Sequence, residues 1–72
     1  MIYIGQHIEK ELHKQQKSVA WFSRQLGCSR TNVYKIFAKK TIDTDALVRI
    51  SKILKFDFFV LYSNEIKLSP NG

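Results

Sequence analysis

Acidic residues are missing from the middle of this chain. Between Leu12 and Ile42 there is no Asp or Glu. Cysteine occurs once, at Cys28, which excludes an internal disulfide and fits a reducing cytoplasm. No apolar run approaches the roughly 20 residues of a membrane span, so no membrane partner is expected. The start M-I-Y-I-G lacks a basic region and a long apolar segment, so no secretory leader is read there. Internal repeats, low-complexity segments and credible strand pairs are also absent. The histidines, His7 and His13, are six apart and do not share a helix face as a metal pair would. Both are read as surface residues, and no metal or cofactor is expected.

What is present is small and basic. A chain of 72 residues lies near the lower limit for a self-sufficient hydrophobic core. At 44% hydrophobic and 12% aromatic it is too apolar for a disordered segment. Net charge is +6, and the excess is uneven. Lys14, Lys17, Arg24, Arg30, Lys35, Lys39 and Lys40 all fall in the acid-free stretch, while Glu9, Glu11, Asp43, Asp45, Asp57 and Glu65 lie outside it. A solvated basic face is the plain explanation. A block of cations without one acid also points to a polyanion, with nucleic acid the default.

The basic block contains S-V-A-W-F-S-R-Q-L-G-C-S-R-T-N-V-Y-K-I-F, Ser18 to Phe37. Val19, Phe22, Ser23 and Leu26 have helical spacing behind Ser18, a good N-cap. Gly27 follows the last apolar residue, where a chain leaving a helix often needs positive φ. Ser29 offers a second N-cap, and Val33, Ile36 and Phe37 give the next helix an apolar face. Small Ser23 allows a close crossing of the two. Many small α bundles contain such a pair, but it also suits the helix-turn-helix, whose second helix enters the DNA major groove.

Around this pair the chain reads as all-α. Ile4, Ile8 and Leu12 at i+4 spacing predict a helix within Met1 to Lys17, with Gly5 blurring its start. Trp21 is expected to be half-buried over that stripe. Lys39-Lys40-Thr41 forms a basic connector. Asp43 or Thr44 caps a fourth helix whose stripe is Ala46, Leu47, Ile50, Ile53 and Leu54, widened by Val48, with Arg49, Ser51 and Lys52 outside. Asp57 is placed to cap a last helix, Phe58 to Ser63, although F-D-F-F-V-L-Y is also rich in strand formers. Residues 1–63 are taken as the domain and 64–72 as a polar tail whose Ser69-Pro70-Asn71-Gly72 end is expected to fray.

Five helices with this motif at the second and third resemble the XRE family of phage Cro and repressor-like DNA-binding domains, a compact lambda-repressor-like bundle. The resemblance covers Ile4 to Ser63 and is carried by Ser23, Gly27, Val33 and the D-A-L-V-R-I-S-K-I-L helix. Ser23 departs from the usual Ala. Phe37-Ala38-Lys39-Lys40 replaces the Trp or Leu and acid that many members carry there. The resemblance implies base reading by Arg30, Thr31, Tyr34 and Lys35. It also implies phosphate contact by Ser18, Ser29, Lys39 and Lys40, with Asn32 and Arg24 added.

These features lead to an expected regulator of transcription that reads double-stranded DNA, most simply as a repressor, in the cytoplasm at the nucleoid. A second class is a protein-binding module, such as an antitoxin that also represses its own promoter, although no separate toxin-wrapping segment is visible. An enzyme is not expected, because so small a domain rarely encloses a pocket of converging groups, and no small-molecule substrate is evident. RNA binding fits the charge but lacks an aromatic sheet platform. Phe56 to Tyr62 is more apolar than the core obviously needs. Phe58 and Leu61 are assigned to closing the core, and Phe59 and Tyr62 to a possible homodimer seam.

Overall fold

The computed structural model describes residues 1–67 as five helices, and no strand occurs among them. They are α1 (Ile4–Lys14), α2 (Val19–Leu26), α3 (Arg30–Phe37), α4 (Thr44–Leu54) and α5 (Phe59–Glu65). The expected fraying of Ser69 to Gly72 lies outside the described residues. F-D-F-F-V-L-Y is not extended: α5 takes up its second half and runs past Ser63 to Glu65.

Apolar spacing builds one core. Ile4, Ile8 and Leu12 are fully buried, as are Phe22, Val33 and Phe58, with Leu47, Ile50, Leu54 and Phe37 close to it. Burying each such side chain contributes roughly 1.5–3 kcal/mol, which is how a chain this short sustains a fold. Phe22 of α2 and Phe37 of α3 lie ring to ring, with centroids 6.5 Å apart and planes nearly parallel. α3 therefore packs on α2 and, through its other flank, on α1. α5 has no fully buried residue of its own; Phe58, immediately before it, is the anchor.

The structure defines the end of α1, corrects one residue of α4 and bears out the cap of α5. Within Met1 to Lys17, α1 runs from Ile4 to Lys14 and stops there because Gln16 takes a left-handed conformation (φ 58°) and the Lys17 amide turns back to the Leu12 carbonyl. Val48 does not widen the apolar stripe of α4 but stands 41% exposed. Arg49, on the outer face as expected, and Ser51 both bond to other parts of the chain. Arg49 Nη2 donates to the Leu26 carbonyl at 2.8 Å, and the Ser51 hydroxyl accepts the Phe58 amide at 3.4 Å. Asp57 accepts the Phe59 amide at 3.0 Å, so it does serve the start of α5, one residue before the Phe58 cap position.

A helix C-terminus leaves carbonyls without intrahelical donors. Arg49 supplies one such donor to α2. Gln15 supplies another to α4: its Nε2 donates to the Leu54 carbonyl at 2.7 Å and to Glu11 Oε2 at 2.8 Å. Side chains from distant helices thus close ends that local sequence leaves open.

Candidate nucleic-acid interface

Two serines begin the two helices of the motif. The Ser18 hydroxyl accepts the Trp21 amide at 2.9 Å, and the Ser29 hydroxyl accepts the Asn32 amide at 3.2 Å. Both cap residues are in the extended region, as N-caps should be. A hydroxyl that accepts a helix amide still has its own O–H to donate. Each cap therefore offers one donor outward, beside exposed amides at the positive end of a helix, a natural place for phosphate.

The corner between them is made by Gly27, at φ 71° and ψ 35°. The Cys28 amide donates to the Ser23 carbonyl at 3.0 Å and the Gly27 amide to the Arg24 carbonyl at 3.2 Å. This is the Schellman pattern, and it needs a left-handed residue at that point. Behind the corner Ser23 is buried at 7% exposure, its hydroxyl donating to the Ala20 carbonyl at 2.8 Å. The polar atom that distinguishes Ser from the commoner Ala is satisfied within its own helix, so the close crossing survives. Cys28 is half-buried in the turn.

Arg30, Thr31, Tyr34 and Lys35 are all exposed. Spacing of i, i+1, i+4 and i+5 keeps them within one side of α3, adjoining the side that buries Val33 and Phe37. Tyr34 is 57% exposed, yet its ring rests edge-on against Phe37 at 6.1 Å. It is an aromatic with a fixed base and an open flank. Ser18, Arg24, Ser29, Asn32, Lys39 and Lys40 are exposed as well. Every predicted contact residue is thus reachable from solvent.

The electrostatics are one-sided. Among the described residues none of the seven cations of the acid-free stretch is within ion-pairing distance of a carboxylate, and the one ion pair joins the Met1 amine to Glu65 at 3.5 Å. An open groove of about 370 Å³ runs behind α3, lined by Cys28, Asn32, Lys35, Lys39, Asp43 and Arg49 among others. Its single carboxylate, Asp43, is occupied in capping α4, accepting the Ala46 amide at 3.0 Å. Cations left without partners are free to meet phosphate, and a surface of one sign steers a polyanion toward it.

The family model of the Cro/C1-type helix-turn-helix DNA-binding domain matches residues 7–58, well over half of the chain. The chain belongs to that family. The matched stretch of this Cro/C1-type domain includes the whole of α2, α3 and α4, the corner and both serine caps. Comparison with curated proteins found no match, and comparison with solved structures found none either. Family membership supports double-stranded DNA as the partner and regulation of transcription as the role.

Two features of this Cro/C1-type domain escaped the sequence reading. Arg49 braces the corner from α4 through its bond to the Leu26 carbonyl; 23 residues separate the partners, and no local pattern announces the contact. Gly5 is buried on the side of α1 that meets α3. Its signal was available: it lies on the face of Ile8 and Leu12, where a glycine marks a close approach.

Proposed function

We propose that this domain reads a specific double-stranded DNA sequence with α3 in the major groove, and acts as a repressor by occupying its site. The observation that carries the reading is the combination, on one face, of exposed hydrogen-bonding side chains and unpaired cations around the Gly27 corner. Arg30 can fork to O6 and N7 of a guanine. The Thr31 methyl suits a thymine methyl, and Tyr34 and Lys35 reach the next turn of bases. Ser18, Arg24, Ser29, Asn32, Lys39 and Lys40 hold the flanking phosphates, which fix register without carrying sequence. The place of action is the cytoplasm, at the nucleoid.

The test is selection of bound sites from a random duplex library, followed by titration at several salt concentrations. Arg30→Ala should cost about 1–3 kcal/mol and relax the preference at one base pair, whereas Lys39→Ala should weaken all duplexes alike. Affinity should fall with salt at about 0.9 in log–log slope per phosphate contact. A chain that shows no salt-sensitive duplex binding at micromolar concentration refutes the reading.

Homodimerisation through the Phe56 to Tyr62 region belongs to the same proposal. Phe58 is fully buried and closes the core, but Phe56, Phe59, Leu61 and Tyr62 are only partly covered, and Val60 is 41% exposed. Val48 adjoins Phe56 and Phe59 in an open groove and extends the apolar patch. A second copy set on this patch by a two-fold axis gives two recognition helices for a palindromic site. Sedimentation decides it: a clean monomer at concentrations of tens of micromolar, free and on DNA, removes the seam.

A further inference from the structure

We propose that the start of α1 is a positioning element for the lysine connector after α3, with Gly5 as the residue that permits it. This rests on the phosphate role given above to Lys39 and Lys40. α1 has no side-chain cap: Tyr3 occupies the cap position and makes no such bond. The vacant amides are served by the connector. The Ile4 amide donates to the Lys40 carbonyl at 3.2 Å and the Gly5 amide to the Lys39 carbonyl at 2.9 Å. Each lysine of the connector therefore has its backbone tied to the first turn of α1, whose positive end faces the negative end of α3.

The closeness is made possible by a missing atom. A Cβ on Gly5 would run into the backbone carbonyl groups of Ile36 and Phe37 at the end of α3. These are main-chain atoms and cannot rotate aside. Tyr3 adds a hold on the side chain, with Lys40 Nζ 5.6 Å from the centre of its ring. Backbone and ammonium of Lys40 are thus both located by residues outside the helix-turn-helix. A lysine held in place loses less freedom when it meets a phosphate, which is the benefit of preorganisation.

The experiment combines Gly5→Ala with Lys39→Ala/Lys40→Ala in a cycle, titrating a labelled duplex that carries the selected site and an unrelated duplex across a salt series. Gly5→Ala should weaken both duplexes alike and flatten the log–log salt slope by up to about 1.8, about 0.9 for each lysine displaced. In the Lys39→Ala/Lys40→Ala background it should add no further loss. Losses that simply add, or a changed base preference with an unchanged slope, overturn the proposal. Should Gly5→Ala fail to fold by circular dichroism, amide exchange in the unaltered chain decides instead. The Ile4 and Gly5 amides should slow when duplex is added, and unchanged exchange there overturns the proposal. If the unaltered chain binds no duplex at all, the DNA reading and this inference fall together; if it binds and the cycle is additive, only the inference falls.

Discussion

Replacing Gly27 by alanine isolates the conformational requirement of the corner. At φ 71° the residue is left-handed, a conformation that costs an L-residue with a side chain roughly 1–2 kcal/mol. Steric crowding adds nothing: the nearest outside atom to a new Cβ is Arg49 Nη2, at an ordinary 3.9 Å. The whole penalty is therefore backbone strain. For a domain of this size each kcal/mol lowers Tm by roughly 4–8 °C, so Gly27→Ala should melt about 4–16 °C lower. The structure supplies its own control. Gln16 and Lys55 are left-handed at φ 58° and φ 52°, at the ends of α1 and α4, with side chains attached. Gln16→Gly and Lys55→Gly should each gain about 1 kcal/mol by the same reasoning. Thermal melts and urea titrations followed by circular dichroism provide the readout, with an unchanged m-value indicating that stability changes without a change in the surface exposed on unfolding. Stability lost on Gln16→Gly or Lys55→Gly, or a harmless Gly27→Ala, would refute the account.

Further outcomes follow from the caps and the core. Ser29→Asp should leave the melting temperature within a few degrees, since Asp caps a helix about as well as Ser. Yet it should weaken duplex binding at low salt, because a carboxylate then faces phosphate; equal affinity would remove Ser29 from the contact set. Phe22→Ala opens a cavity under a fully buried ring stacked on Phe37. The cost of about 3–5 kcal/mol approaches the total stability expected of a small domain, so the variant should be largely unfolded at 37 °C by circular dichroism.

Local signals made most of the fold legible. Ser18, Ser29 and Asp43 mark helix starts through their side-chain oxygens and Gly27 a helix end through its backbone, and each does so in the structure. Ile4, Ile8 and Leu12 declare their face by spacing alone and are fully buried. The misplaced pieces depend on partners distant in the chain. Gln15 and Arg49 look like ordinary surface residues until the Leu54 and Leu26 carbonyls arrive beside them. Gln16 ends α1 in a conformation usually left to glycine, so nothing in its identity marked the boundary. For the candidate site, exposure of the α3 residues could be read from period and polarity. What holds Lys39 and Lys40 in place could not, because the contact joins the first turn of the chain to its middle.

The uncompensated cations have a consequence for stability. Crowding like charges along Lys35, Lys39 and Lys40 raises the free energy of the native chain through self-repulsion, and dissolved ions relieve it by screening. The ions that loosen the grip on a nucleic acid therefore firm up the folded domain. A duplex supplies the missing negative charge itself, so the bound molecule is the better-balanced one.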